Sequence, residues 1–355
     1  MGKIRQGNYF EDFRVGQKMV HPTDRTLIDA DQSLYIGLTG SRSAVCSASS
    51  VAQRLGFPDK PLEDLLVFNV AFGKTVPDVS LNGVANLGYA EMRFLEPVYS
   101  GDTLSVESEV IGLRQNANGR SGIVYVRSNA RNQHNRPVLS WVRWVMVHKR
   151  DETAPAPEEV IPDLSAYVKA ADLPVTAWSP DRVGDLVAAT GFNDLWEDYH
   201  VGERIDHPTA MTINDSDHSI ATRLYQNTAK AHFDAAMMAS TPMKARLVYG
   251  GHIMSICKSL SYDGLENMLA IVAINGGRHT APSFAGDTIC CATEVIDKID
   301  LGFPHVGALR LRMLGAKNIA DASAIKFPGN GKDDTLSPNI VLDLDYTVLV
   351  PRNNQ

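Results

Sequence analysis

The chain has 355 residues, of which 44% are apolar, so it is long enough for two domains or for one fused core of two equal halves. The formal net charge of −7 argues against a nucleic-acid partner, because neutralising phosphates requires an excess of Lys and Arg. An anionic ligand would have to be met by local basic residues.

The start of the chain, MGKIRQGNYFEDF, lacks the apolar core of an export signal. No later window offers the roughly 18 uninterrupted apolar residues that a membrane span needs. We therefore expect a cytoplasmic protein with no membrane partner. The four cysteines, Cys46, Cys257, Cys290 and Cys291, form no CxxC pair, which predicts reduced thiols and no metal site.

An internal repeat spans the chain. The segment YFEDFRVGQKMVHPTDRTLIDADQS matches LWEDYHVGERIDHPTAMTINDSDHS without a gap, at an offset of 186 residues that aligns His21 with His207. A second match, at an offset of 185 residues, aligns Gly101-Asp102-Thr103 with Gly286-Asp287-Thr288. These Gly-Asp-Thr segments are expected to form the turn into a strand. The two halves therefore share one plan.

The segment between the halves, RDETAPAPEEVIPDLSAYVKAADLP, is acidic and contains prolines. Such a composition is typical of a connector that crosses the surface. We predict an N-terminal repeat at 1–150, a linker at 151–182 and a C-terminal repeat at 183–355.

The predicted helices occur in the same order in each half. A helical pattern follows Asp31 and Asp217, with Asp215 or Asp217 as the N-terminal cap. By the repeat, FGKTV at Phe72 belongs to the central helix of the first half. In the second half, GGHIMSICKSLSYDG places apolar side chains at i, i+3, i+4 and i+7, which predicts a helix buried on one side, at Ile253, Ile256, Cys257 and Leu260.

Strands follow each central helix. Leu104, Val106 and Val110 alternate with polar residues, as do Leu342 and Leu344 further on, which is the period of a strand with one wet face. PVLSWVRWVMVHK is a third such run. A central helix followed by antiparallel strands predicts an α+β fold in which the sheet wraps its apolar face around the helix.

The order of these elements and the segment PVYSGDT, Pro97 to Thr103, resemble the MaoC-like hotdog family of acyl-CoA hydratases over nearly the whole chain in duplicate. GNYFEDFRVGQ and GSRSA are most similar to the branch of that family that hydrates mesaconyl-CoA. The resemblance implies a tandem (double) hotdog, with two long central helices each wrapped by a curved antiparallel sheet. It also implies an acyl-CoA thioester as substrate, a homo-oligomer, and no cofactor beyond the coenzyme A of the substrate.

The family has a motif of the form Gly-Asp-x-Asn-Pro-x-His-x-Asp, whose Asp and His activate a water. Anchored on its histidine, the motif falls on RLYQNTAKAHFD, with His232 at the His, Asn227 at the first Asp and Asp234 at the last Asp. The first half has Ser41 and Cys46 at the positions of Asn227 and His232, so no titratable acid or base of the motif survives there. The resemblance therefore implies that only the second half is catalytic.

His232 is expected to act as base or to hold the water, because imidazole titrates near neutral pH. Asn227 can orient a water but cannot accept its proton, which leaves three alternatives. Asp234 could serve as the acid, His232 could make both proton transfers with Asn227 orienting the water, or an acidic residue could arrive from elsewhere. We favour the second, because on a helix Asp234 would point about 200° around the axis from His232.

An enolate oxygen that forms during hydration needs hydrogen-bond donors. Gly250 and Gly251 directly precede the helical stripe, and the free N–H groups at a helix start are suitable donors. We predict Gly251 as the oxyanion residue and His252 as a further polar contact. If the substrate is mesaconyl-CoA, its free carboxylate requires an arginine, for which Arg42, Arg223, Arg246 and Arg278 are candidates that the sequence does not separate.

The expected function is therefore the reversible hydration of mesaconyl-CoA to β-methylmalyl-CoA. Two alternatives with the hotdog fold remain. One is a general (R)-specific 2-enoyl-CoA hydratase, and the other is a hotdog acyl-CoA thioesterase. A third is a non-catalytic acyl-CoA binder, which the Asn227 departure keeps open.

Overall fold

The structure is a computed structural model that describes residues 3–4, 6–178, 182, 185–328 and 335–353. The predicted boundary between the linker and the second repeat, at 182/183, adjoins residues outside the described ones. The described strands are β1 (Lys18–Thr26), β2 (Gly83–Phe94), β3 (Thr103–Gln115), β4 (Ser121–Arg131), β5 (Pro137–His148), β6 (Arg204–Asp206), β7 (Met211–Thr212), β8 (Ala270–His279), β9 (Thr288–Ile299), β10 (Val306–Lys317) and β11 (Ile340–Pro351).

The described α-helices are α1 (Asp29–Thr39), α2 (Ala44–Ser47), α3 (Ser49–Leu55), α4 (Asp64–Thr75), α5 (Val175–Trp178), α6 (Asp185–Thr190), α7 (Asp215–Leu224), α8 (Lys230–Phe233), α9 (Ala235–Ala239) and α10 (Gly250–Leu260). A π-helical turn, Val76–Ser80, extends α4. The central helices α4 and α10 occupy equivalent positions in the two repeats.

The strands join into one antiparallel sheet in the order β1-β3-β4-β5-β2-β8-β11-β10-β9-β6, with β7 paired to β9. Strands β1 to β5 belong to the first repeat and β6 to β11 to the second. The two half-sheets meet where β2 pairs with β8, with Tyr89 opposite Gly277 and Arg93 opposite Ala273. The predicted double hotdog is thus present, and its two sheets are continuous.

The alternation predicted for β3 is confirmed, since Leu104, Val106 and Val110 are buried while Glu107 and Glu109 are exposed. In β11, Leu342 and Leu344 are buried, but the predicted wet face is at most half-buried at Asp343 and Asp345. PVLSWVRWVMVHK forms the strand β5, but the wet face predicted for it is wrong, because between its two end residues the side chains on both of its faces are buried or half-buried. The Gly-Asp-Thr segments lead into β3 and β9, and Gly101 and Gly286 have φ values of +98° and +93°, a conformation that favours glycine.

The repeat is visible in side-chain contacts as well as in strand order. His21 Nε2 lies 2.7 Å from Ser108 Oγ, and His207 Nε2 lies 2.8 Å from Thr293 Oγ1. The Nδ1 atom of His21 contacts Asp78, and that of His207 contacts the carbonyl of Asp263. Both histidines are buried. These two histidines therefore make equivalent contacts in the two halves, each joining the segment after the central helix to strand β3 or β9.

Two details of the predicted helices were wrong. Helices α1 and α7 begin at Asp29 and Asp215, before the predicted starts after Asp31 and Asp217, so Asp215 is a helical residue and Asn214 occupies the cap position. The Asp217 carboxylate instead accepts a hydrogen bond of 2.7 Å from the Asn214 side chain. Carboxylates in the first turn are favourable because they face free N–H groups at the positive end of the helix dipole.

Helix α10 is buried on all sides rather than on one. Its apolar stripe faces the sheet as predicted, and its polar side faces α4 of the other repeat. There Asn69 Nδ2 donates to Ser255 Oγ (3.0 Å) and to the Gly251 carbonyl (3.3 Å). The periodicity could not show this, because the partner of the polar face, Asn69, lies 182 residues before Gly251 in the chain.

The described part of the predicted linker runs along both repeats. Val160 forms a β-bridge with Leu113 of β3, and the Val168 N–H donates to the side chain of Asn275 on β8 (2.9 Å). The indole of Trp178 donates to the Phe94 carbonyl (2.6 Å). The connector is therefore anchored to the sheet at several points.

Within the described ranges, no helix has the length and apolarity required to cross a bilayer. The same residues contain no group of three or more His, Cys, Asp or Glu side chains placed to hold a metal ion.

Candidate active site

A cavity of about 430 Å³ opens between the two repeats, within the size range of small-molecule sites. The second repeat supplies the segment before and along α8, the start of α10 and the end of β8. The first repeat supplies the end of α4, the π-helical turn and parts of β2 and β5. Its polar lining comprises Ser80, Asn86, Tyr89, Arg143, Asn227, His232, Tyr249, His279, Thr280 and Ser283, and the described residues place no Asp or Glu in the lining.

His232 lines this cavity from the short helix α8. Its Nδ1 lies 2.9 Å from the carbonyl oxygen of Leu247. A carbonyl only accepts hydrogen bonds, so Nδ1 carries the proton and Nε2 keeps its lone pair. The ring also packs against Tyr249, with centroids 5.6 Å apart. The arrangement fixes the tautomer that a base requires.

Burial lowers the pKa of His232 to about 4, although the hydrogen bond to Leu247 favours the protonated ring. The free imidazole is therefore neutral at pH 7. A negatively charged ligand in the cavity would stabilise the protonated ring and raise this pKa again. His232 is thus unprotonated in the free protein, and an anionic ligand in the cavity would make it a better proton acceptor.

Asn227 is buried and also lines the cavity. Its Oδ1 accepts a hydrogen bond from the Ala229 N–H (3.0 Å), which leaves the Nδ2 amide hydrogens to act as donors. The preceding residue, Gln226, has a φ of +52° and accepts from Lys74 Nζ (2.6 Å). Asn227 therefore lies in a tight turn that is tied to the first repeat.

Helix α4 approaches this turn closely because residue 73 is glycine. A Cβ atom on Gly73 would lie 1.9 Å from the carbonyl oxygen of Tyr225, a distance that real contacts do not show. The first repeat thus supports the polypeptide that carries Asn227.

Asp234, the residue considered as a catalytic acid, lies outside the cavity. The Asp234 carboxylate caps α9 by accepting from the Met237 N–H (2.9 Å), and its side chain is exposed outside the cavity. Together with the lack of acidic lining residues, this placement favours the alternative in which His232 makes both proton transfers.

The two glycines at the start of α10 have different surroundings. Gly250, the first helical residue, lines the cavity, and a Cβ there would lie 2.4 Å from Nε2 of His279. Gly251, the predicted oxyanion residue, does not line the cavity, and a Cβ there would lie 2.0 Å from Oδ1 of Asn69. Backbone N–H groups in a first helical turn lack intrahelical acceptors. Gly250 is therefore the member of the pair whose backbone borders the cavity.

His252, the further predicted contact, is buried beneath the cavity wall and does not line it. Its Nδ1 lies 3.5 Å from the Tyr225 hydroxyl. His252 therefore packs against Tyr225 behind the cavity wall.

Sequence reasoning missed His279, at the end of β8. The ring lines the cavity, and its Nε2 lies 3.4 Å from the Tyr89 hydroxyl. Burial lowers its pKa to about 4, and charge on His232 lowers it further, so the two rings do not readily hold protons together. The repeat offset of 185 residues aligns His279 with Phe94, so the asymmetry that identified His232 could have identified it too.

The four predicted arginines lie outside the cavity. Arg42 pairs with Asp263 (2.6 Å), Arg246 with Asp215 (2.6 Å) and Arg278 with Asp343 (3.2 Å). Arg223 is exposed, and its Nε donates to the Ser219 carbonyl. The arginine that does line the cavity is Arg143 of β5, which sequence reasoning did not select.

The equivalent position in the first repeat is filled. Only about 20 Å³ of space remains beside Ser41 and Lys258. Lys258 of α10 forms ion pairs there with Glu63 and, at 3.3 Å, with Asp64, and the Ser41 hydroxyl donates to Glu63. The motif comparison anticipated no acid or base at this place, but other segments bring three charged groups to it. They are paired with one another and leave no room for a substrate.

Comparison with known proteins places the chain in a family. The family model described as mesaconyl-CoA hydratase matches residues 2–318. The chain is 51% identical over 351 residues to a β-methylmalyl-CoA dehydratase of Chloroflexus aurantiacus, covering 99% of each chain. It is 47% identical over 350 residues to a mesaconyl-CoA hydratase of Cereibacter sphaeroides, covering 99% of this chain and 100% of that one.

Solved structures agree. A MaoC domain protein dehydratase from Chloroflexus aurantiacus superposes with a TM-score of 0.93 at 50% identity, covering 99% of this chain and 100% of that one. A double-hotdog protein from Mycobacterium tuberculosis, 24% identical, shares the fold with a TM-score of 0.78, covering 98% and 99% of the two chains. The fold is that of a MaoC-like double hotdog. Within that class, the chain belongs to the mesaconyl-CoA hydratase family.

Proposed function

We propose that the protein catalyses the reversible hydration of mesaconyl-CoA to β-methylmalyl-CoA, as a hydro-lyase. The observation that carries the proposal is the fixed tautomer of His232, whose Nδ1 donates to Leu247 while Nε2 keeps its lone pair in a cavity without carboxylates. The names of the relatives at 51% and 47% identity support the choice of substrate.

Hydration adds the water oxygen to the β-carbon of the unsaturated thioester and a proton to the α-carbon. In the proposed mechanism, His232 Nε2 takes a proton from the water as its oxygen bonds to the β-carbon, and the electron pair of the double bond moves to form the thioester enolate. The imidazolium then gives a proton to the α-carbon, which restores the neutral ring. Dehydration follows the same steps in reverse.

Asn227 orients the water in this mechanism. Its Nδ2 hydrogens can donate to the water oxygen, which directs a water hydrogen towards the base. This assigns to Asn227 a positioning role that an amide can fill, in place of the proton-accepting role of the aspartate in the family motif.

The enolate oxygen would be held by free backbone N–H groups at the start of α10, where the helix dipole also favours negative charge. Gly250 and the predicted Gly251 are the two candidates. Because Gly250 lacks a side chain, a thioester can approach the backbone beside His279.

These steps use imidazole, amide and backbone groups of the chain, and the proposal includes no metal or redox cofactor. A homo-oligomer remains part of the proposal, as the family resemblance implies, and a cytoplasmic location remains an expectation. Light scattering coupled to size-exclusion chromatography measures the oligomeric state, and cell fractionation the location.

The test is to incubate the pure protein with mesaconyl-CoA and with crotonyl-CoA and to follow the loss of absorbance of the conjugated thioester. We expect faster turnover of mesaconyl-CoA, with β-methylmalyl-CoA as product. Faster turnover of crotonyl-CoA would indicate the general 2-enoyl-CoA hydratase instead. Release of free thiol without hydration would indicate a thioesterase, and no turnover of either thioester would indicate a binding protein.

A further inference from the structure

Arg143 lies in the middle of β5, on the face that also carries Trp141 and Val145, and it lines the cavity. Its side chain is fully buried. The neighbouring strand β4 places Val126 opposite it, and β2 places Tyr89 opposite it. A guanidinium in such a position is expensive unless a counter-charge is present.

The contacts of Arg143 supply no such counter-charge. Nη2 donates to Thr75 Oγ1 (2.9 Å), and both Nη atoms lie 3.3 Å from Ser80 Oγ. The guanidinium carbon lies 4.2 Å from the centre of the Phe72 ring. Nε is buried and has no hydrogen-bond partner in the described part of the chain. Burial lowers the pKa of Arg143 to about 10, so it still carries its charge at pH 7.

Other arginines in the sheet differ in this respect. Arg127 pairs with Glu91 (2.6 Å), Arg310 with Asp345 (2.6 Å) and Arg312 with Asp343 (3.0 Å). Those arginines are more exposed, and each has a carboxylate within reach, whereas Arg143 faces a cavity whose lining residues include no carboxylate.

The second repeat has no arginine at the equivalent position. Arg143 pairs with Tyr89 between β5 and β2, and the equivalent pair between β11 and β8 is Tyr346 with Ile274. Tyr346 of the second repeat therefore takes the place that Arg143 has in the first repeat. The central helix of the second repeat, α10, borders the filled position. The arginine occurs on the side of the open cavity, as His232 and His279 do.

We propose that Arg143 binds the free carboxylate of the substrate, through Nε–H and the adjacent Nη–H. This assignment rests on the proposed function and names the specificity residue of that site. The carboxylate of mesaconyl-CoA is attached to the β-carbon that receives the water, so binding it at Arg143 fixes that carbon relative to His232. A planar guanidinium suits this task because it can donate two parallel hydrogen bonds to one carboxylate.

The aromatic layer between the two groups supports this placement. Phe72, beneath the guanidinium, has its ring centre 5.5 Å from that of Tyr249, and Tyr249 in turn contacts the His232 ring. Arg143 and His232 therefore border one continuous apolar floor, on which a branched acyl group can lie.

The test compares two substrates that differ only in the charged group, mesaconyl-CoA and tiglyl-CoA, in which a methyl group replaces the carboxylate. For Arg143→Met we expect kcat/KM on mesaconyl-CoA to fall at least 100-fold, and the ratio of kcat/KM between mesaconyl-CoA and tiglyl-CoA to fall at least 50-fold, the scale of a charge-assisted bidentate contact. Equal losses on both substrates, or no loss on mesaconyl-CoA, would overturn the assignment.

The matched control is Arg127→Met. Arg127 follows Val126, the β4 residue opposite Arg143, and pairs with the carboxylate of Glu91. We therefore expect the ratio of kcat/KM between mesaconyl-CoA and tiglyl-CoA to stay within twofold of the wild-type value. Thermal unfolding of each variant establishes that it is folded.

A further measurement does not depend on any variant. In a crystal structure of the wild-type protein with methylsuccinyl-CoA, a saturated analogue that cannot be hydrated, we expect the free carboxylate about 3 Å from the Arg143 nitrogens. A carboxylate bound by another cation would refute the inference even if mesaconyl-CoA is the substrate. Failure of mesaconyl-CoA to turn over, with that carboxylate still at Arg143, would refute the proposed reaction alone.

Discussion

Replacing His232 by asparagine separates its two functions. An asparagine amide can donate to the Leu247 carbonyl as Nδ1 does, because the two nitrogens occupy similar positions along the side chain. The lone pair of Nε2 is lost, and no carboxylate lines the cavity to replace it. Alanine at the same position removes both the donor and the base.

The two substitutions should therefore differ in stability and agree in activity. Loss of a positioned acid or base lowers kcat by about 100- to 10,000-fold, or about 3–5 kcal/mol of transition-state stabilisation. His232→Ala also leaves the Leu247 carbonyl without its partner, at a cost of about 1–2 kcal/mol in the free energy of unfolding, which His232→Asn avoids.

The assay measures initial rates with mesaconyl-CoA and urea unfolding for the wild type and both variants. Retention of more than a tenth of the wild-type kcat by His232→Asn would refute the assignment of His232 as the base. Equal stability of the two variants would refute the role of the Leu247 contact.

Three further outcomes are expected. Asn227→Ala removes the amide that orients the water and should lower kcat about tenfold, and an unchanged kcat would exclude that role. Burial lowers the pKa of His232 to about 4 in the free enzyme. We therefore expect kcat/KM to stay flat from pH 7 down to about pH 5 and to fall at lower pH as the imidazole gains its proton. An acid limb of the pH profile centred at about 6.5 would show that the ring is solvated. Gly73→Ala places a methyl group against the Tyr225 carbonyl and should lower the free energy of unfolding by roughly 1–3 kcal/mol. Urea unfolding measures this change, and wild-type stability would mean that the turn at Gln226 and Asn227 is free to move.

Much of the architecture could be predicted from the sequence because repetition and periodicity are local signals. Leu104, Val106 and Val110 alternate with polar residues in a strand that is wet on one face, and the prediction for β3 was correct for that reason. Helix α10 was harder, since the partner of its polar face, Asn69, comes from the other repeat. Helix starts were misplaced because an aspartate in the first turn and an aspartate at the cap look alike in sequence.

The site was predicted in part. His232 and Asn227 were found through the family motif, and both line the cavity. Arg143 was missed because β5 is buried on both faces, so alternation does not show which side chains face the central helix. The arginines that were selected lie outside the cavity, and three of them, Arg42, Arg246 and Arg278, pair with carboxylates there.

The covalent joining of the two repeats has a consequence for how this site could arise. In an assembly of two identical subunits, a substitution that placed an arginine at one cavity would place it at the other as well. Here Arg143 and Tyr346 can differ because they are encoded separately, and so can His232 and Cys46. Fusion thus releases each position from the symmetry constraint, and one copy can specialise as a scaffold for the other.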